Sequence, residues 1–441
     1  MGKQPNVIVF FTDQQRWDTT GVHGNPLNLT PNFDRLALQG THCFNAFTCQ
    51  PVCAPARAAL QTGKYATNTG VYRNAISLDK QHKTLAHYFK EGGYTTGYIG
   101  KWHLASGDPV PRNEQGEYDY WLGANALEHT SDTYRTVVYD KDGKDVFLPG
   151  YRVDALADAA IRYVSDQKDR PFFLFLSFLE PHHQNHVDDY PPPAGYREQY
   201  TGRWTPPDLA ALGGSSAQHL GGYFGMVKRL DEALGRLQDA LKSMRLLDDT
   251  IILYTSDHGN HFKTRNSEYK RSCHEASIHI PMALTGPGFF GGGRVTDLVS
   301  LVDMPPTLLN AAGLPIPQEM EGRSILDGRK DWPDDVFIQI SESQVGRAVR
   351  TSRWKYGVTA AGLDGWHTSD APVYEEQYLY DLEHDPHEQT NLAGFASHKE
   401  VSLSLQKRLL KYIQKVEGKS VFINPAKEIA SGQRKVDREE I

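Results

Sequence analysis

Cysteine is scarce in this chain: Cys43, Cys49, Cys53 and Cys273 are the only four among 441 residues. That is too few for a disulfide scaffold, although they could pair, so the count does not fix the redox compartment. A basic excess is missing as well. Lys plus Arg number 47 against 54 Asp plus Glu, a formal net charge of −7 with histidine neutral. Nucleic-acid binding rests on basic patches, so no nucleic-acid partner is expected. The longest nearly unbroken apolar stretch, Phe172 to Leu179, falls far short of the ~20 residues that span a bilayer, and no membrane span is expected. The start, MGKQPNVIVFF, has a short apolar run where a secretory leader needs roughly 7–15 apolar residues and a small-residue cleavage site. As written, the chain is expected in the cytoplasm, or in the periplasm or secreted if a leader has been removed.

What is present is length and histidine. A chain of 441 residues can bury a large core. Strand and helix signals alternate through most of it. Val7–Phe11 is a short apolar run. Thr30-Pro31 opens a helix that stops at Gly40, with a cap residue, Pro at the first helical position and Gly past the end. Further helices are predicted over Thr84–Glu91, Tyr151–Lys168 and His219–Met244, and further strands over Tyr94–Ile99, Phe172–Phe178 and Thr250–Thr255. Buried apolar strands separated by amphipathic helices imply an α/β architecture with a mainly parallel sheet. After about residue 333 the rhythm changes to short strand candidates at Val336–Ile340, Ala348–Arg350, Lys355–Val358 and Gln377–Tyr380, closed by a helix over Val401–Val416. The expected division is a catalytic α/β domain over 1–333 and a smaller α+β subdomain with an antiparallel sheet over 334–441, joined within Asp327–Asp335.

Asp13-Gln14 follows one apolar strand directly, and Asp257-His258-Gly259 follows another. In parallel sheets the crevice beyond the carboxyl ends of the strands is where ligands bind. Two aspartates there, each beside an amide or imidazole, could hold a hard cation, Ca²⁺ or Mg²⁺, while His258 leaves Mn²⁺ or Zn²⁺ open. Helix caps and Asx-turns would also place aspartates after strands.

Two further segments narrow this. One is Pro51-Val52-Cys53-Ala54-Pro55-Ala56-Arg57, running on to Thr62-Gly63. The other is Gly93-Tyr94-Thr95-Thr96-Gly97-Tyr98-Ile99-Gly100-Lys101-Trp102-His103. Together they resemble the two signature segments of the type I sulfatases, the formylglycine-dependent members of the alkaline phosphatase superfamily. The resemblance holds in order along most of the chain. Asn6–Asp13 and Thr255–Gly259 resemble the metal segments, and Lys270 precedes Glu275 in a stretch running to Ile280-Pro281. Leu379 to Asn391-Leu392 resembles the family's C-terminal signature. Gln61 departs from the pattern where an apolar residue is usual. Gln184 replaces a proline in Pro181-His182-His183-Gln184.

The resemblance implies the alkaline-phosphatase-like fold and release of inorganic sulfate from a sulfated organic ester, with a carbohydrate as the expected substrate class. It implies that Cys53 is oxidised to formylglycine by a maturation enzyme and that its hydrated aldehyde is the nucleophile. Asp13, Gln14, Asp257 and His258, with residue 53, would hold the divalent ion, Ca²⁺ first, with Mg²⁺ or Mn²⁺ as alternatives. Arg57 would hydrogen-bond the formylglycine and neutralise charge at the metal site. Lys101 and His103, two apart and so on one side of an extended segment, would address the sulfate and the aldehyde hydrate, His103 as base. His182 would be the general acid, with Lys270 as a neighbouring cation. By position alone, His183, His186, Arg265, His274 and His367 are candidate substrate contacts, and Trp366-His367 could stack on a sugar. Two other readings stay open: a phosphonate monoester or phosphodiester hydrolase of the same superfamily, and a binding protein for sulfated glycans in which Cys53 stays a thiol.

Overall fold

The computed structural model describes residues 4–291, 293–328 and 331–429. Ten strands form the larger sheet: β1 (Asn6–Thr12), β2 (Thr41–Phe47), β3 (Thr95–Lys101), β4 (Tyr120–Ala124), β5 (Thr136–Asp140), β6 (Asp145–Leu148), β7 (Phe172–Ser177), β8 (Thr250–Ser256), β9 (Met282–Thr285) and β10 (Gly293–Ser300). Their order is β10-β2-β9-β8-β1-β7-β3-β4-β5-β6. The central run from β8 through β1, β7 and β3 to β4 is parallel, whereas β9 and the β5–β6 hairpin run antiparallel to their neighbours. The sheet is therefore mixed and mainly parallel.

Side chains alternate across the central strands, so each strand feeds two cores. Val7, Val9, Phe11, Phe173, Phe175, Ile251 and Leu253 pack beneath the helices at 53–62, 85–91 and 304–311. Ile8, Phe10, Leu174, Leu176, Ile252 and Tyr254 pack against those at 31–39, 152–167 and 216–243. A strand buried on both faces reads as a continuous apolar run, which is why β1, β7 and β8 are visible in the sequence.

Register sets the chemistry. Thr12 pairs with Ser256 across β1 and β8, so Asp13 and Asp257 emerge side by side at the carboxyl ends. Phe11 and Gly100 each pair with Ser177, which brings Lys101 to the same edge. Gly100 has φ 105°, and a Cβ there would lie 1.8 Å from the carbonyl oxygen of Ser177, so only glycine lets β3 deliver Lys101 this close to β7.

The second sheet has the order β11 (Asp335–Ile340), β12 (Gly346–Thr351), β13 (Trp354–Thr359), β14 (Val373–Asp381) and β15 (Phe422–Asn424). It is antiparallel except at β15, which runs parallel to β14. Leu405, Leu409 and Ile413 of the closing helix bury against it. Residues 329 and 330 of the expected junction and residues beyond 429 of the smaller unit lie outside the described residues. Glu275 ties the two sheets together, buried within 2.8 Å of Lys355 and 3.3 Å of Arg350.

Candidate active site

Cys53 is the first residue of the helix Cys53–Thr62, an Ala-rich segment buried throughout. Its small side chains let it lie close under the sheet, Pro55 falls in the first turn where no amide partner is needed, and Gly63 ends it in the left-handed conformation. Asn74 Oδ1 accepts from the N–H of Ala54 at 3.0 Å and so closes the helix start. The thiol sits at a convergence. Lys270 Nζ is 2.9 Å from Cys53 Sγ, His258 Nε2 3.2 Å and Asp13 Oδ1 3.5 Å. Burial and Asp13 push the thiol pKa up, but Lys270, Lys101 and His258 outweigh them and hold it at about 6.

Asp13 accepts from Arg57 Nη2 at 2.8 Å and Lys101 Nζ at 2.9 Å. Burial opposes its ionisation, yet Lys101, His182, Arg57 and Lys270 keep it well below the ordinary carboxylate range. Asp257 goes the other way, raised to about 7 by burial and by Asp13. Two buried carboxylates at one spot call for a cation. Ligand atoms of Asp13, Cys53, Asp257 and His258 all lie within 4.8 Å of one another. His258 Nδ1 donates to the carbonyl of Gly259 at 2.9 Å, which turns Nε2 toward the two carboxylates. Gln14 takes φ 68°, its N–H donates to Asp257 Oδ1 at 2.9 Å, and its Nε2 is buried without a partner. The donor set fits a hard divalent ion.

Lys101 is clamped between Asp13 and Glu128, whose Oε1 is 3.0 Å away. Burial opposes Glu128's ionisation, but Lys101 and His103 hold its pKa at about 2, and its Oε2 is buried without a partner. His182 stacks on His183 at 4.3 Å. Its Nδ1 lies 2.6 Å from the carbonyl of His183 and must donate to it, so Nε2 is the acceptor facing Lys270 Nζ at 3.2 Å. Burial and Lys270 press the imidazole pKa well below its ordinary value.

Arg57, expected at the formylglycine and the metal site, places its guanidinium on Asp13, Asp257, Ser177 and the carbonyl of Lys101. Other sequence expectations need correcting. The extended-segment argument for His103 fails, because β3 ends at Lys101 and His103 takes φ 61°. It still neighbours the cluster: burial and Lys101 lower its pKa to about 3, and its Nδ1 has no partner. Arg265 is spent on the carbonyls of Glu388 and His387, both 2.9 Å away. His274 is buried beneath Tyr378 and Tyr380, its Nε2 3.1 Å from the Tyr380 hydroxyl. His186 lies at the surface beside Asp132, and His367 is exposed beside Asp364. Of the five candidate substrate contacts, only His183 reaches the cluster, with Nδ1 3.4 Å from Gln14 Oε1.

Glu128, Ser177 and Asn74 were not foreseen. None carries a local signal, since each acts through a partner distant in sequence. Gln61 has a structural explanation: buried, it accepts from the Tyr118 hydroxyl at 3.0 Å.

Comparison with known proteins identifies the family. The sulfatase family profile matches residues 5–314, and that of the N-sulphoglucosamine sulphohydrolase C-terminal region matches 267–415. The chain belongs to the sulfatase family. An ulvan-active sulfatase of Formosa agariphila is 29% identical over 416 residues, 89% of this sulfatase and 77% of that protein. An N-acetylglucosamine-6-O-sulfatase of Bacteroides thetaiotaomicron is 24% identical, covering 94% of this chain and 86% of its own. Among solved structures, a candidate sulfatase, yidJ of Bacteroides fragilis, superposes with a TM-score of 0.81 at 25% identity, over 95% of this chain and 97% of that one. The chain is thus a sulfatase, an enzyme of the alkaline phosphatase superfamily.

Proposed function

We propose that this sulfatase releases inorganic sulfate from a sulfated carbohydrate, using formylglycine made from Cys53 by a maturation enzyme and a divalent cation, Ca²⁺ or a similar hard ion. The observation that carries the reading is the convergence of Lys270, His258 and Asp13 on Cys53 at the head of a buried helix. The carbohydrate class is supported by the two relatives named for ulvan and N-acetylglucosamine.

Residue 53 as the aldehyde hydrate supplies a nucleophilic oxygen, and the cation positive charge beside the sulfate oxygens. The chain does the rest. Asp13, Gln14, Asp257 and His258 hold the cation. Arg57 fixes the two carboxylates and offsets their charge. Lys101, locked by Asp13 and Glu128, and Lys270 present ammonium groups to the sulfate. His103, kept neutral by burial and by Lys101, is the candidate proton acceptor beside the cluster. On the leaving side, His182 Nε2 already accepts from Lys270, so Lys270 is the proton-bearing member of the pair and His182 orients it. On this reading the leaving-side proton comes from Lys270, with His182, the expected acid, beside it.

The test is turnover by matured, metal-loaded enzyme of 4-nitrophenyl sulfate against bis(4-nitrophenyl) phosphate. Faster sulfate hydrolysis, lost in Cys53→Ala, supports the proposal. Faster diester hydrolysis would favour the phosphonate or phosphodiester reading, and no turnover of either with tight sulfated-glycan binding would favour a binding protein.

A further inference from the structure

Beside the reaction centre stands a second cluster that the chemistry above does not use. Asn74, which closes the Cys53 helix, donates its own N–H to Glu342 Oε1 at 2.7 Å. Glu342 Oε2 is bonded by Nε of Arg271, the neighbour of Lys270. Arg271 and Glu342 both adopt positive φ, 69° and 64°. Such conformations persist where the surroundings over-determine them, and they cluster at functional sites. This frame holds Arg73. Its Nη1 donates to the carbonyl of Asn74 at 2.8 Å, and its guanidinium lies 4.6 Å from the Trp366 ring centroid. The Tyr72 hydroxyl donates to the Trp366 carbonyl at 3.4 Å, which ties the 361–371 loop to the same edge.

Arg73 differs from its neighbour in charge balance. Arg271 is paired with both Glu342 and Glu268. Arg73 has an Nε buried without a partner, and no ion pair to it occurs among the described residues. A guanidinium held by the Trp366 indole, the Tyr72 ring at 5.9 Å and one carbonyl has N–H donors left over, in the fork geometry that matches carboxylate or sulfate. Trp366 is 38% exposed, with Arg73 over its ring.

We propose that Arg73 and Trp366 form a subsite for a second anionic group on the substrate, a carboxylate or another sulfate, with Trp366 stacking on the sugar that carries it. The inference rests on the sulfated-carbohydrate reading above and narrows it to doubly charged glycans. A neutral sugar would leave the guanidinium without a partner.

Calorimetric titration of full-length, metal-loaded Cys53→Ala protein reads this without turnover. The ligands are a monosulfated neutral disaccharide, its counterpart bearing a uronic carboxylate, and a disulfated counterpart. At least one doubly charged sugar is expected to bind tenfold or more tighter than the neutral one, and adding Arg73→Gln removes that preference while Arg73→Lys restores part of it. Which of the two is preferred distinguishes carboxylate from sulfate. Equal binding of all three, no binding of any, or a preference that survives Arg73→Gln overturns the subsite. Failure of the parent reading shows separately, as absence of 4-nitrophenyl sulfate turnover by the matured wild type.

Discussion

Nζ of Lys270 lies 3.2 Å from Nε2 of His182, on the side of the imidazole that carries no proton, and 2.9 Å from Cys53 Sγ. One ammonium therefore borders both the position of the nucleophile and the group best placed on the leaving side. If the pair protonates the leaving oxygen, its loss should matter in proportion to how poor the leaving group is. Lys270→Ala and His182→Ala are expected to lower kcat/KM on a sugar sulfate by about 10²–10⁴-fold. For His182→Ala the loss on 4-nitrophenyl sulfate, whose phenolate leaves unaided, should be much smaller, whereas Lys270→Ala, which also removes an ammonium beside Cys53, should lose on both substrates. On the sugar sulfate the double variant should cost little more than the worse single one, because the residues act as a unit. Equal losses on both substrates in His182→Ala would remove the acid role.

The paired aspartates make a second prediction. Asp13 is held ionised by Lys101 and Arg57, while Asp257 beside it is pushed up to about 7, so a cation that enters the site would favour the ionised form of both carboxylates. Chelation should abolish sulfate release. Returning Ca²⁺ to the stripped protein should raise Tm, by an amount equivalent to about 2.7 kcal/mol at a hundredfold excess over Kd. Asp257→Asn should lose most of that shift. Thermal unfolding against added Ca²⁺, Mg²⁺ and Mn²⁺ measures it and ranks the ions.

Glu128 is expected to be a positioning residue for Lys101. Removing one member of a buried ion pair costs about 3–5 kcal/mol, and Glu128→Gln keeps the shape while deleting the charge. The expected result is lower stability in urea unfolding together with a fall in kcat larger than any rise in KM. Glu128→Asp should recover part of both. A variant with altered stability and unchanged kcat would make Glu128 a purely structural residue.

Away from the site, His42 packs beside His23, His279 and Phe44, and its pKa is lowered to about 4, by burial first and then by Arg294 and His279. The folded state thus refuses a proton that the unfolded chain accepts near pH 6.5. Its contribution is complete above about 6.5 and is lost as pH falls toward 4. Tm should decline more steeply over that interval in the wild type than in His42→Asn. Parallel slopes would contradict the assignment.

Which parts were legible follows from how each signal is written. Asp13 and Asp257 stand immediately after buried strands and Lys101 is the last residue of one, so the sequence shows both the strand and the residue at its carboxyl end. Cys53 and Arg57 share one short helix and could be placed together. By contrast, β2, with His42 and Asn45 inside it, and β10, with Arg294 and Asp297, carry too much polarity for a periodicity argument. Arg265 and His274 were misread because they flank motif residues in an irregular stretch, where nearness in sequence says little about side-chain direction. Both turn toward the smaller sheet's unit. Glu128 and Asn74 were missed because their importance lies in contacts across 27 and 20 positions.

The central claim, that residue 53 must cease to be cysteine for this sulfatase to work, is tested by measuring specific activity against the fraction of protein converted. Oxidation of the thiol to the aldehyde lowers the intact mass by about 18 Da. Preparations made with graded amounts of a formylglycine-generating enzyme should therefore show sulfate release proportional to the lighter species, on a line through the origin. Activity in protein whose Cys53 is wholly unmodified, or none in fully converted, metal-loaded protein against the full panel of sulfated sugars and 4-nitrophenyl sulfate, would contradict it.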